Sequence, residues 1–180
     1  MPEAPETEAD VADLVRAIEA GEDGIVLPQE LVEEPEAAAA RPTSLHAQIL
    51  TMVMSEKIKL ALRGNRDARL ILIRDGNKLV RRFVLQNPRI SDSEVISLAR
   101  NKSADDELLR IVTEKREWMR NYQVRLGLAT NPKAQLPLAL RLLATLEERD
   151  IRQIAKSKNV PQAIAAHARR LLIAQHGGQQ

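Results

Sequence analysis

The segment VRRFVLQNPRI, at residues 80–90, predicts how this chain is built. The segment VRLGLATNPKA, at residues 124–134, repeats four of its residues at a spacing of 44. The repeated residues are Val80, Arg81, Asn87 and Pro88, which return as Val124, Arg125, Asn131 and Pro132. Because a residue before proline is driven out of the α region, each Asn-Pro pair is expected to end a helix and turn the chain. The spacing therefore predicts related helical units.

A second repeat pairs SLARNKS, at residues 97–103, with QIAKSKN, at residues 153–159, at a spacing of 56. The longer spacing indicates about one extra helix in the second unit. Units of this size cannot bury their apolar faces alone, so neighbours are expected to stack into a short α-solenoid of divergent repeats. The alternative is a compact, irregular helical domain. The aligned residues are Ala99 with Ala155, Arg100 with Lys156, and Lys102 with Lys158.

Helix signals continue from residue 45 to residue 176 and predict an all-α domain of nine or ten short helices. The segment LILI, at residues 70–73, is the best strand candidate, but helix formers and a capping residue surround it. The segment EWMRNYQVRLGLAT is expected to form one helix that ends at Asn131. The expected N-terminal caps are Ser55, Asn65, Asn77, Ser91 with Glu94, and Ser103 with Asp106.

The charge of the chain is strongly divided between its ends. Residues 1–40 carry twelve acidic side chains and one basic one, a net charge of −11. Residues 41–180 carry 26 basic and 13 acidic side chains, a net charge of +13. The composition predicts that residues 1–44 form an acidic, largely disordered tail with a short amphipathic helix at 10–20. The apolar segment GIVLPQELV in this tail is expected to be a docking element and not part of the fold.

Four segments together resemble a family of uncharacterised bacterial cytoplasmic proteins with an acidic, variable N-terminal tail. The resemblance implies HEAT-like or leucine-rich-variant-like helical repeats over about residues 55–172. By analogy with that repeat class, it also implies protein interaction. The segments are SEKIKLALRGNRDARLILIRDGNKLV, NPRISDSEV, EWMRNYQVRLGLATNPK and IAKSKNVPQAIAAHARRLL.

Signatures of catalysis and of cofactor binding are missing from the sequence. The chain has no cysteine, no glycine-rich phosphate loop and no nucleophile elbow, and its three histidines lie far apart. We therefore expect a non-enzyme without a metal or another cofactor. No apolar run approaches the roughly 20 residues of a membrane span, and the acidic N-terminus lacks the pattern of a signal peptide. These features predict a cytoplasmic protein.

Basic residues recur at equivalent places in the predicted units. Two pairs have the spacing of 44, Arg81 with Arg125 and Arg89 with Lys133, and two have the spacing of 56, Arg100 with Lys156 and Lys102 with Lys158. In a solenoid, equivalent places line up along one surface, so these residues predict a positive platform for an acidic partner or a phosphate backbone. The alternative is that lysine and arginine simply prefer the carboxyl ends of helices, where they bind carbonyl groups. This alternative is favoured for the pairs at the spacing of 56 and explains Arg81 and Arg125 less well, because these two lie inside their helices.

Two of the three aromatic residues, Trp118 and Tyr122, lie four positions apart with Arg120 between them. Tryptophan, tyrosine and arginine dominate binding hot spots, so this group is a candidate anchor for a partner. A tryptophan in an otherwise aliphatic chain is also expected to fill the core at a junction between units. The core interpretation is the favoured one for Trp118.

The leading functional hypothesis is a non-catalytic scaffold or adaptor that presents a basic helical surface to an acidic cytoplasmic protein. The acidic tail is an autoinhibitory or second docking element in this hypothesis, because its charge opposes that of the helical region. The alternative is a nucleic-acid-binding module, which the charge of +13 motivates. An enzyme is the least favoured class.

Overall fold

The computed structural model describes residues 5, 7–34 and 42–177, and every regular element within these ranges is helical. The predicted all-α class is therefore confirmed for the described part of the chain. The chain divides into two compact units, residues 1–90 and residues 91–180. The division into a tail at 1–44 and one repeat domain at 45–176 stays a prediction. None of the described helices has both the length and the apolar character needed to cross a bilayer.

The first unit contains five α-helices and one turn of 3₁₀ helix among its described residues. These are α1 (Glu8–Ala20), the 3₁₀ turn (Gln29–Leu31), α2 (Pro42–Thr51), α3 (Met54–Arg63), α4 (Arg66–Leu72) and α5 (Lys78–Val84). The strand candidate at 70–73 thus lies largely within α4.

The second unit contains seven α-helices among its described residues. These are α6 (Asp92–Arg100), α7 (Asp106–Glu114), α8 (Arg116–Arg120), α9 (Tyr122–Thr130), α10 (Leu136–Leu143), α11 (Glu148–Lys156) and α12 (Gln162–Gly177).

Three of the predicted helix caps are found in the structure. The side chain of Asn65 accepts a hydrogen bond from Ala68 N at 3.0 Å, and that of Asn77 accepts one from Leu79 N at 2.8 Å. Ser91 starts α6 and forms a reciprocal capping box with Glu94. Each of these side chains satisfies an amide that the first turn of a helix leaves without an internal partner.

Two predicted caps are wrong. Helix α3 begins before Ser55, because Glu56 binds the backbone amide of Val53 at 2.9 Å and so fixes the start there. Helix α7 is capped by Asp105, whose carboxylate accepts from Glu107 N at 3.0 Å, and not by Ser103. In both places a carboxylate accepts from a backbone amide at the start of the helix, where negative charge is favoured.

The helix predicted for EWMRNYQVRLGLAT is divided into α8 and α9 at Asn121. The side-chain oxygen of Asn121 accepts from Gln123 N at 2.9 Å and starts the second helix. Its side-chain nitrogen donates to Asp92 Oδ2 at 3.1 Å. This division is why the predicted nine or ten helices become eleven, α2 to α12, in the described structure.

The described part of the acidic leader, residues 7–34, is ordered on the first unit and is not a disordered tail. Helix α1 covers the amphipathic helix predicted at 10–20, and its Ile18 is only 1% exposed. The segment GIVLPQELV also belongs to the fold, since Leu31 is 0% exposed within the same core. A few aliphatic side chains are thus enough to hold a segment whose charged groups stay in solvent. The rest of the predicted tail, at 1–4, 6 and 35–41, lies outside the described residues.

A buried asparagine joins two helix ends in the first unit. The side-chain nitrogen of Asn87, which follows α5, donates to the carbonyls of Ala61 and Gly64 at 2.9 and 3.2 Å. Both carbonyls belong to the end of α3. The side-chain oxygen of Asn87 accepts from Arg89 N at 2.9 Å, which turns the chain away from the helix. The carboxyl ends of α3 and α5 therefore lie side by side.

The second unit repeats this arrangement at the matching asparagine. The side-chain nitrogen of Asn131, which follows α9, donates to the carbonyls of Ala99 and Asn101 at 2.8 and 2.9 Å. Its side-chain oxygen accepts from Lys133 N at 2.9 Å. The Asn-Pro repeat in the sequence thus marks a hydrogen-bonded junction between the carboxyl ends of two helices, here α6 and α9.

Candidate functional site

The carboxyl ends of α6, α9 and α11 meet around a groove in the second unit. The groove has a volume of about 340 Å³. Aliphatic side chains contribute to its lining, and groups that donate or accept hydrogen bonds surround them. The aliphatic residues are Leu126, Ile154 and Val160, and the polar residues are Arg100, Lys102, Thr130, Asn131, Asp150, Gln153, Ser157 and Asn159.

Gly127 lets the helices of the groove lie close together. A Cβ atom added to this glycine would lie 3.1 Å from the Cβ of Ala99 and 3.2 Å from the carbonyl carbon of Ala99. These distances are tighter than ordinary carbon contacts, so a larger residue would push α9 away from α6. The glycine thus helps to keep the two carboxyl ends adjacent where the groove forms.

Two cations border the groove, and both are exposed to solvent. The guanidinium of Arg100 donates to the side-chain oxygen of Gln123, and Lys102 Nζ donates to the carbonyl of Asn159 at 3.3 Å. The second bond agrees with the view that such residues serve the carbonyls near helix ends. However, an ammonium has three donor hydrogens and a guanidinium has five. Each side chain can therefore bind a further acceptor.

A tyrosine–aspartate pair lies at the start of α11. The hydroxyl of Tyr122 donates to Asp150 Oδ2 and accepts from Glu147 N at 3.1 Å. Burial raises the pKa of Tyr122, and the hydrogen bond to the Asp150 carboxylate raises it further because a phenolate could not donate. The pair fixes α9 against α11. The acidic residue that lines the groove, Asp150, is thus already hydrogen-bonded to Tyr122.

The aromatic residues that the sequence singled out belong to this scaffold. Trp118, in α8, is 5% exposed, and the Nζ of Lys115 lies 4.2 Å from its ring centroid. Trp118 is therefore buried in the core, in line with the favoured interpretation, whereas Arg120, on the same helix, is exposed. Tyr122 is half-buried and serves the pair with Asp150.

The four platform residues at the spacing of 44 fall into two environments. Arg81 and Arg125 are half-buried, and Arg125 donates to the carbonyl of Met119 at 3.3 Å, with its guanidinium 5.7 Å from the ring centroid of Tyr122. Arg89 and Lys133 are exposed at the junctions that follow Asn87 and Asn131. The exposed pair is thus better placed to meet a partner than the half-buried pair.

Sequence reasoning noticed Arg100 and Lys102 but assigned them to helix ends, and it missed the groove beside them. The groove also needs Gly127, Gln153 and Asn159, which come from other elements. Part of the signal was present, because the spacing of 56 pairs the end of α6 with the end of α11. The spacing of 44 pairs the end of α5 with the end of α9, so it does not point to the groove.

The first unit shows how basic residues of this chain hold an acidic segment. Lys59 Nζ donates to Asp23 Oδ1 at 2.6 Å and also to the carbonyl of Ile25. Burial alone would raise the pKa of Asp23, but the hydrogen bond and charge of Lys59 and the amide of Ile25 outweigh it. The pKa of Asp23 is therefore lowered, and the ion pair ties the leader to α3.

Main-chain carbonyls of the leader are further points of attachment. Arg63, at the end of α3, donates to the carbonyl of Ile18 at 2.9 Å, and Arg89 donates to that of Val32 at 2.8 Å. The side-chain nitrogen of Asn65 donates to the carbonyls of Glu30 and Glu33 at 2.8 and 2.7 Å. Cations and amides near the helix ends of the first unit thus bind an acidic segment that lies across them.

No family model, no curated protein and no solved structure matches this chain. The functional proposal therefore rests on the residues described above.

Proposed function

We propose that this protein is a non-catalytic interaction scaffold that presents a basic helical surface to an acidic partner protein. The groove where the carboxyl ends of α6, α9 and α11 meet is the observation that carries the proposal. Apolar side chains in such a groove supply contact area, and a few placed polar groups fix the orientation of what binds. Carboxylates and main-chain carbonyls only accept hydrogen bonds, so they complement a rim rich in donors.

The helices form a short α-solenoid in this proposal, as in the HEAT-like repeats of the bacterial cytoplasmic family that the sequence resembles. Its support is the repeated junction at Asn87 and Asn131, which has the same hydrogen bonds in each unit. Arg89 and Lys133 then occupy equivalent places, each after the buried asparagine of its own unit. A surface of one charge increases the rate of encounter with an opposite partner and loses this advantage as salt is added.

The acidic leader serves as an autoinhibitory or second docking element in the same proposal. Its support is the contact already present in the first unit, where Lys59, Arg63 and Arg89 bind leader groups. A partner that carries a similar acidic segment can compete with the leader for these cations. The scaffold is thus a module that exchanges acidic segments. In this proposal it acts in the cytoplasm, as the sequence predicts.

Nucleic-acid binding is the second candidate, and the charge of +13 in residues 41–180 favours it. Proteins that bind single strands without sequence preference use exposed aromatic rings to stack bases. Here Trp118 is buried and Tyr122 is half-buried and hydrogen-bonded to Asp150. These aromatics do not offer a stacking surface, so the peptide-binding function is preferred. An enzyme is the least favoured class.

The test is a fluorescence anisotropy titration of the full chain against two labelled probes, a poly-glutamate peptide and a single-stranded DNA oligonucleotide. We expect the peptide to bind and the affinity to fall with added salt. The double variant Arg100→Glu, Lys102→Glu is expected to weaken peptide binding by roughly tenfold or more, because repulsion replaces attraction at the rim. Preferential binding of the oligonucleotide, or no binding of the peptide at low salt, would overturn the proposal.

A matched control has the same change of charge away from the groove. Arg141 and Arg170 are exposed on α10 and α12 and do not line the groove. The double variant Arg141→Glu, Arg170→Glu is expected to leave peptide affinity essentially unchanged. An equal loss of affinity in both double variants would show that net charge alone is responsible and that the groove is not the site.

A further inference from the structure

We propose that the groove of the second unit binds a short, extended acidic segment of a partner protein in the way that the first unit holds its own leader. This inference rests on the proposed function and adds the binding mode. Main-chain carbonyls of the segment accept from cations and amides near the helix ends, and an aliphatic side chain enters the groove. Recognition thus depends on apolar anchors as well as on charge.

The leader defines the chemistry of such a segment. Its aliphatic anchors Ile25 and Leu31 are buried, whereas Val26, between them, is 87% exposed. Arg89 binds a carbonyl of the segment, and Lys59 binds both a carboxylate and a carbonyl. The segment 23–34 of the leader is therefore held by two buried aliphatic side chains and by acceptor groups, most of which belong to the main chain.

The second unit offers equivalent groups at the ends of α6 and α9. Lys133 follows Asn131 as Arg89 follows Asn87, with the same hydrogen bond from its backbone nitrogen. The side chain of Lys133 is exposed. Arg100 ends α6 as Arg63 ends α3, and Arg100 is likewise exposed. Where Arg63 and Arg89 bind leader carbonyls, Arg100 and Lys133 present donors to solvent.

The size of the groove limits what can enter it. A volume of about 340 Å³ is enough for a few side chains and not for a folded domain. Leu126 and Ile154 line the groove and supply apolar contact for an aliphatic anchor. The leader of the same chain is already bound in the first unit, with Ile18 and Leu31 buried there. We therefore assign the groove to a segment of another protein.

The test uses a labelled synthetic peptide with the sequence DGIVLPQELVEE, which is residues 23–34 of this chain, titrated with the full chain. A second peptide carries serine in place of the isoleucine, the valines and the leucines and keeps every charge. We expect the first peptide to bind at least about tenfold more tightly, because each buried aliphatic side chain contributes separately. Poly-glutamate measures the charge-only interaction in the same assay.

Variants locate the binding site in this assay. Lys133→Glu is expected to weaken binding of the peptide severalfold, and Gln153→Trp is expected to weaken it by filling the groove without a change of charge. Arg141→Glu is the matched control. Circular dichroism of each variant reports folding, and the exposed positions of Lys133, Gln153 and Arg141 make loss of the fold unexpected.

The outcomes separate this inference from the proposed function. Equal affinity of the two peptides would overturn the inference and leave the charge-based function standing. Failure of all three acidic probes to bind would overturn both. Loss of binding in Arg63→Glu but not in Gln153→Trp would place the peptide on the first unit and overturn the inference. Self-association of the full chain that Gln153→Trp abolishes would assign the groove to the leader of a second copy instead.

Discussion

At the scale of single residues, the buried asparagines Asn87 and Asn131 each join two helix ends within one unit. Each donates two hydrogen bonds from one amide to carbonyls that end a neighbouring helix. The last carbonyls of a helix have no partner inside it, and burial without a partner costs free energy. One side chain therefore satisfies two such groups and aligns two helices.

Replacement of Asn131 by alanine is expected to destabilise the second unit. The change leaves the carbonyls of Ala99 and Asn101 without this donor beside a buried side chain, at a cost of about 1–3 kcal/mol. Urea denaturation measures this free energy of unfolding. Gln135→Ala, at an exposed position nearby, is the control and should change it little. Equal effects of the two substitutions would contradict the role of the buried amide.

Tyr122 is expected to titrate above the ordinary tyrosine pKa of 10.0, because burial and Asp150 raise its pKa. Because folding raises this pKa, the hydroxyl contributes its full stabilisation at a pH below the pKa of the unfolded state. The stabilisation is lost as the pH rises through the higher pKa of the folded state. Tyr122 is the only tyrosine, so an ultraviolet absorbance titration reports this group alone. Asp150→Asn should move the midpoint down toward the ordinary value. A midpoint at or below 10.0 in the native protein would contradict the structure.

The sequence predicted that Asn87 and Asn131 end helices, but it did not predict that their side chains join two helices. The proline after Asn87 and Asn131 predicted that a helix would end there, and it does. The hydrogen bonds of the amides join residues that are 23 to 32 positions apart in the chain. Local pattern carries no information about such partners, so the junction became visible only in the folded structure.

At the scale of elements, the acidic leader shows how composition can mislead. Its carboxylates and prolines predicted disorder over residues 1–44, yet α1 and the 3₁₀ turn pack on the first unit. Composition averages over a segment, whereas docking depends on a few anchors in the right places. The helical spacing of Val11 and Ile18 was the better signal, because it predicted α1 itself.

Leu31→Ala is expected to destabilise the first unit by about 2–5 kcal/mol, because it removes a fully buried side chain and leaves a cavity. Val26→Ala, in the same leader, is the matched control, since Val26 is 87% exposed. Thermal unfolding followed by circular dichroism compares the two. If the two substitutions changed the unfolding temperature equally little, the leader would not be packed on the first unit.

At the scale of the whole molecule, charge and architecture act together. The net charge of −11 in residues 1–40 and of +13 in residues 41–180 is matched locally by ion pairs such as Lys59–Asp23. The helical class and several element boundaries followed from caps and apolar spacing. The groove did not, because α6, α9 and α11 contribute to it from segments far apart in the chain. The sequence therefore pointed to the cations that border the groove, but it could not predict that they meet there.

The central claim is that the helix ends of the second unit bind acidic segments, and chemical-shift mapping of the isotope-labelled full chain tests it most directly. Titration with the peptide of residues 23–34 is expected to shift the amide signals of residues 100–102, 126–133 and 153–160. The signals of residues 59–69 should move little. Shifts spread evenly over the basic surface, or confined to 59–69 and Arg89, would contradict the claim.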